Sequence, residues 1–194
     1  NKVFKFCASN DLMCNPSKSA FILISPTRRR DSKRYEIDLD GEKILEAQEE
    51  KMLGVTLQND LKWDGHMKKL RTKINLGIHQ LRRVRPYLNR KTLKTVSEGL
   101  VMANVRYCLS AFGTENVRLH KTDPTREGLR WLQRAQNKML RTIGKHSIKE
   151  HISTQDLLEL FRSLSINQLT ALTILMDFWK AKSFKIEPIM EQIE

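Results

Sequence analysis

Within Leu61-Lys62-Trp63-Asp64-Gly65-His66-Met67-Lys68-Lys69-Leu70-Arg71-Thr72-Lys73-Ile74 the hydrophobic period changes from that of a strand to that of a helix. From Trp63 onward, Met67, Leu70, Ile74, Ile78 and Leu81 follow steps of four, three, four, four and three. At 3.6 residues per turn these side chains share one helix face. Before it, Tyr35, Ile37 and Leu39 alternate with Glu36, Asp38 and Asp40, the period of two that marks a half-buried strand. The chain therefore reads as α+β but mostly α, with a small β-containing front and a helical remainder.

Toward the C-terminus the helical reading continues. Pro86 ends the first long helix, and Asn89 caps a second that carries Leu93, Val96, Leu100, Ala103 and Tyr107. Asp123-Pro124-Thr125 opens a third, with Leu129, Leu132, Ala135, Met139 and Ile143 along one side. Ser153-Thr154-Gln155-Asp156 is a capping-type signal before Leu157 to Phe161. A longer helix follows with Leu169, Leu172, Leu175, Met176 and Trp179 as its expected apolar face, and Pro188 interrupts it or ends a linker.

Toward the N-terminus, Val3, Phe4, Cys7 and Leu12 suggest a short apolar helix face ending near Asn10-Asp11, with Asn15-Pro16 as a breaker. Ala20-Phe21-Ile22-Leu23-Ile24 reads as a strand buried on both faces. Arg28 to Asp31 reads as a loop, Asp40-Gly41 as a hairpin turn with Ile44 on the return strand, and Met52 to Leu57 as another strand closed by Asn59-Asp60. The segmentation is a mixed region at 1–60, a helical region at 61–147 and a helical tail at 148–194. No internal repeat or low-complexity tract is evident.

The 194 residues are 40% apolar and 29% charged, as in soluble globular proteins, and 35 Lys and Arg against 22 Asp and Glu give a formal charge of +13. Such a field attracts polyanions, nucleic acid first and anionic membrane second. The basic residues cluster: Lys68, Lys69, Arg71, Lys73, Arg82, Arg83, Arg85, Arg90, Lys91 and Lys94 crowd one region, and Arg126, Arg130, Arg134 and Lys138 recur at steps of four. Like charges at i, i+4 weaken an isolated helix by about 0.2–0.5 kcal/mol per pair. An anionic partner explains such a ladder better than solubility does, since mixed signs would serve solubility; a solvated face is the plainer alternative. Contacts of this kind go to backbone phosphates and read no sequence. Tyr87, Tyr107 and Trp131 could stack on bases, but core packing is the preferred reading for each.

Cys7, Cys14 and Cys108 have no paired spacing and suit reduced intracellular thiols; no zinc-type cluster occurs, so no metal site is expected from Cys and His. Leu169–Met176 is too short to span a bilayer, and no membrane partner is expected. The chain opens on Asn1 rather than Met, which suits a partial or processed sequence.

The segment Asn15-Pro16-Ser17-Lys18-Ser19 resembles motif D of the reverse transcriptases of non-LTR (LINE-type) retrotransposons, where the pattern N-P-x-K-T follows the catalytic strand. Met52-Leu53-Gly54-Val55 resembles the Y-L-G-V strand of motif E, with Met52 in place of the tyrosine. Leu61 to Met67 resembles the thumb-opening L-x-W-x-x-H-I, and Leu81-Arg82-Arg83-Val84, Tyr107 and Leu132-Gln133-Arg134-Ala135-Gln136 continue the likeness. Ser153 to Glu194, with Lys180 and Pro188, is similar to the end of such a reading frame.

The resemblance implies a palm remnant followed by a helical thumb and tail. It implies that Lys18 is a possible general acid toward the pyrophosphate leaving group, although by spacing alone Lys18 reads as a loop lysine. It implies that Gly54 lies where a nucleic-acid strand passes a hairpin, while a turn or bulge glycine is the simpler reading. Lys69, Lys73, Arg82, Arg83, Arg126, Arg130, Arg134 and Lys138 are then candidate contacts to template–primer, which would be RNA, DNA or an RNA–DNA duplex. In this family two Mg²⁺ ions are held by aspartates of motifs A and C. No adjacent Asp-Asp pair occurs here, and Asp38 and Asp40 read as turn residues beside Gly41. The expectation is an intracellular protein, nuclear or cytoplasmic. It would be a polymerase piece that grips nucleic acid, lacks its N-terminal portion, holds no cofactor and is inactive alone. A domesticated helical protein-interaction module is the alternative.

Overall fold

A computed structural model describes residues 2–13, 15–24, 35–39, 41–113 and 124–184. The fold is α+β, mostly α, and divides into two units, residues 1–66 and 67–194.

In the first unit, α1 (Lys2–Ser9) ends where Asp11 takes a left-handed backbone, φ 54°. A single 3₁₀ turn, Pro16–Lys18, starts at its proline, whose fixed φ suits that position. Two antiparallel hairpins follow: β1 (Glu36–Leu39) with β2 (Glu42–Leu45), and β3 (Glu49–Met52) with β4 (Val55–Gln58). Leu39 pairs with Glu42 and Met52 with Val55, so each turn has two residues. Leu53 and Gly54 both have positive φ, 48° and 87°, as the mirror-image turns favoured in two-residue hairpins require.

This unit departs from the sequence pattern in three places. Met52 to Leu57 is not one strand, because Leu53-Gly54 turns the chain back on itself. Ala20 to Ile24 is not a strand: only a bridge from Phe21 to Glu46 forms, with the Phe21 carbonyl accepting from the Ala47 N–H at 2.9 Å, and Ile24 is exposed. With no further strand paired to it among the described residues, the β1–β2 ribbon leaves Tyr35 and Ile37 exposed rather than half-buried. Lone two-stranded ribbons are marginal in water. Accordingly only Val55, Thr56 and His66 are buried among this unit's described residues. The Arg28–Asp31 loop and Asp40 lie outside the described residues.

The second unit carries the core. The helix α2 (Asp64–Val84) spans both units' sequence ranges and buries Met67, Leu70, Ile74, Ile78 and Leu81, the face its periodicity gives. Asn89 caps α3 (Arg90–Ser97), its Oδ1 accepting from the Thr92 N–H at 2.9 Å. A five-residue π turn, Glu98–Met102, then joins α3 to α4 (Ala103–Arg106) and α5 (Leu109–Gly113). This wide turn changes the buried set: Leu93, Ser97, Val101, Met102, Val105 and Leu109 face inward. Val96 and Leu100 are only half-buried, and Ala103 and Tyr107 are exposed. The expected face presumed 3.6 residues per turn; the inserted residue lets a repeat of four stay on one side.

The ladder-bearing α6 (Pro124–Gly144) buries Leu129, Leu132, Ala135, Met139 and Ile143, as expected. Ser153 caps α7 (Thr154–Phe161), and Ser165 with Gln168 forms a reciprocal capping box on α8 (Ile166–Ser183). Both helices pack on α6, and α8 also packs on α5. Here the expected face fails again. Ile166, Leu169, Thr170 and Ala181 are buried, whereas Leu172, Leu175, Met176 and Trp179 are exposed. Apolar residues occur all round α8, so its sequence does not say which side is covered. No described helix is long and apolar enough to cross a membrane; Pro188 lies outside the described residues.

Candidate nucleic-acid interface

The two units divide the charge unequally. Residues 1–66 hold 11 Lys and Arg against 11 Asp and Glu; residues 67–194 hold 24 against 11, the whole of the net +13. The positive field is therefore concentrated on the helical unit.

Within that unit the basic side chains fall into two groups. One group is tied into the fold. Arg71 lies over the Trp131 ring, 5.3 Å from its centroid, and Arg90 over Phe161 at 4.7 Å. Lys94 Nζ donates to the Phe161 carbonyl at 2.9 Å, and Arg141 donates to the Ile152 carbonyl at 2.6 Å. Arg106 pairs with Glu98 at 2.6 Å.

The other group is exposed. Arg130, Arg134 and Lys138 are exposed on α6, on the side away from Leu132, Ala135 and Met139, and no carboxylate among the described side chains pairs with them. Four-residue steps keep them in one slowly turning row. Lys69, Lys73, Arg82 and Arg83 are exposed on α2. The Arg126 backbone belongs to α6, but its side chain lies outside the described residues.

Guanidinium and ammonium groups in such a row can each meet a phosphate oxygen. Arg offers a two-pronged donor and Lys a point charge. The aromatic residues are less suited to stacking. Trp131 is half-buried beneath Arg71, consistent with packing. Tyr87 is 86% exposed and Tyr107 51% exposed, contrary to the expected core placement: both sit in turns that follow a helix, where no helix face directs them inward.

Lys18 closes the 3₁₀ turn, and its side chain is exposed. Gly54 is the second residue of the β3–β4 turn and is exposed. No group of three or more His, Cys, Asp or Glu able to hold a metal occurs among the described residues, so the donor set of a two-Mg²⁺ centre is not assembled by them. Two carboxyls are held below their usual range: Asp60 chiefly by the Lys62 backbone N–H, and Glu150 chiefly by the Ser147 N–H and then by His146. Both act as local turn fixtures.

One tie the sequence reading did not identify fixes the start of α2. The Thr56 N–H donates to His66 Nδ1 at 3.4 Å, the Gly65 N–H donates to Gln58 Oε1 at 2.9 Å, and Trp63 meets the His66 ring edge-on at 6.0 Å. The W-x-x-H spacing was visible, but not its bond to β4. Compared with known proteins, the chain matches no family model, no curated protein and no solved structure.

Proposed function

We propose that this chain binds nucleic acid through backbone phosphates, as the template–primer-gripping part of a non-LTR-type reverse transcriptase. The supporting observation is the solvent-facing row Arg130, Arg134 and Lys138 in a unit that carries all of the net charge. Such contacts position a duplex and release its condensed counterions, so affinity falls steeply with salt. The ordered likeness of Asn15–Ser19, Met52–Val55 and Leu61–Met67 to motifs D, E and the thumb supplies the polymerase part of the reading.

Filter binding with an RNA–DNA duplex tests it. Micromolar or tighter affinity that weakens across a salt series is expected; absence of binding at low salt removes the proposal. With no Asp-Asp pair in its sequence, the chain alone is expected to incorporate no nucleotide with Mg²⁺. Template-dependent extension would contradict that.

A specific observation favours a second reading, a helical protein-interaction module. Leu175 and Trp179 on α8 are 65% and 64% exposed, and Leu172, Met176 and Phe178 are exposed beside them. An apolar surface of this kind suits a partner. If the face is free, Leu175→Ser with Trp179→Ser changes stability by no more than about 0.5 kcal/mol per site. A loss of several kcal/mol in denaturant unfolding would mean the face is already occupied within the molecule.

A further inference from the structure

We propose that a second, smaller site in the helical unit receives a phosphate group. A pocket of about 170 Å³ opens between α3 with its π turn, α6, and the turn from α7 to α8. Buried Met102, Met139 and Leu169 line it, together with Lys94, Arg106 and Arg162 and one carboxylate, Glu98. It lies on the packed side of α6, where Gln136 and Met139 are buried, not on the side of the Arg130–Lys138 row. The proposal therefore does not rest on that row.

The donor inventory points to the ligand. Arg106 gives one contact to Glu98, and Lys94 gives one hydrogen bond to the Phe161 carbonyl. The Arg162 guanidinium has no hydrogen-bond or ion-pair partner among the described residues. A guanidinium has five N–H donors and an ammonium three, so most donors here are unused. Two of the lining acceptors are committed, Gln136 Oε1 to Gln133 and the Leu164 carbonyl to Gln136, and Glu98 pairs through one oxygen with Arg106. A pocket lined by three cationic side chains and one carboxylate suits a group that only accepts. A phosphate monoester is such a group, with three acceptor oxygens and nearly two negative charges at neutral pH. The C-terminal carbonyls of α7 would repel an anion, but the Lys94 ammonium sits on one of them.

Size narrows the class. Pockets for whole small molecules run from roughly 300 Å³ upward, and a water occupies about 30 Å³ of liquid. This pocket takes a phosphate and the first atoms behind it, not a complete nucleotide. The π turn contributes to the geometry by keeping Met102 inward while Glu98 and Arg106, eight residues apart, pair at the rim. The ligand is then the terminal phosphate of something larger or a free small phosphate. Given the charge of the unit, the favoured larger source is the end of a nucleic-acid strand.

The test uses the full chain and inorganic phosphate, with chloride at equal ionic strength as reference. The expected result is a saturable rise in Tm with phosphate only, abolished by Arg162→Gln and retained in Arg130→Gln/Arg134→Gln. The Arg162 side chain is exposed, and its cap to α7 uses the backbone N–H alone, so its variant should fold. Equal effects of phosphate and chloride, or loss in the α6 variant but not in Arg162→Gln, would overturn the site. Oligonucleotides with a 5′-phosphate or a 5′-hydroxyl separate the sources. Tighter binding of the phosphorylated strand, equalised by Arg162→Gln, assigns the strand end; phosphate binding without that difference assigns a free small phosphate. A phosphoserine peptide that displaces phosphate more effectively than the phosphorylated strand would refute the nucleic-acid source. If the duplex fails to bind while phosphate still does, the larger functional reading fails and this site stands.

Discussion

At the scale of residues, the basic side chains separate by what holds them. Arg71 and Arg90, part of the basic cluster read from the sequence, lie over rings, Arg141 is held by a carbonyl, and Lys94 gives one of its donors to a carbonyl. Lys94 and its acceptor are 67 positions apart, a separation that no local pattern reports. Arg130, Arg134 and Lys138 were legible because a step of four, set against an apolar stripe, already places them on the outer side. Leu53 shows a cost that sequence alone would not locate. Its φ of 48° is a left-handed backbone for a side chain that is 85% exposed. Since that conformation costs an ordinary residue about 1–2 kcal/mol and Asn-Gly is the preferred pair in such turns, Leu53→Asn should raise unfolding stability by about 0.5–1 kcal/mol. Denaturant melts showing no gain would mean that the Leu53 side chain contributes packing that offsets the strain.

At the scale of elements, legibility tracked regularity. The helices α2 and α6 could be read because a single period runs their full length and their partners cover one face only. The segment after Asn89 could not, because one extra residue in the turn Glu98–Met102 changes which side chains point inward. The tight approach of Gly77, where a Cβ would lie 2.6 Å from the Leu100 carbonyl oxygen, places α2 directly against this turn. Deleting Gly99 should therefore be costly although a Cβ there would meet nothing within 4 Å. It restores an ordinary helical register and rotates Val101, Met102 and Val105 away from the core. A loss of at least about 3 kcal/mol is expected by analogy with large core truncations. Near-neutral thermal unfolding of the deletion variant would show that the wide turn does not set the register. In α8 the difficulty was different: an apolar circumference supplies no amphipathic direction, so only the positions of α5 and α6 decide that Leu169 is covered and Leu175 is not.

At the scale of the whole molecule, charge and core share one address. Residues 67–194 contain nearly all the buried apolar side chains and the entire net positive charge, while the hairpin unit is electrically balanced and thinly packed among its described residues. A stable helical scaffold that presents cations is what backbone-directed binding needs, because rigid elements hold the charges in register with phosphates. Under the proposed function the α6 row meets those phosphates. The most direct measurement of that contact is the slope of log Kobs against log salt for an RNA–DNA duplex, compared between the wild-type chain and Arg130→Gln/Arg134→Gln/Lys138→Gln. Each phosphate contact on B-form DNA contributes about 0.9 to the slope. The expected wild-type slope is steep and becomes shallower by roughly two to three units in the triple variant. Identical slopes in the two proteins would contradict it.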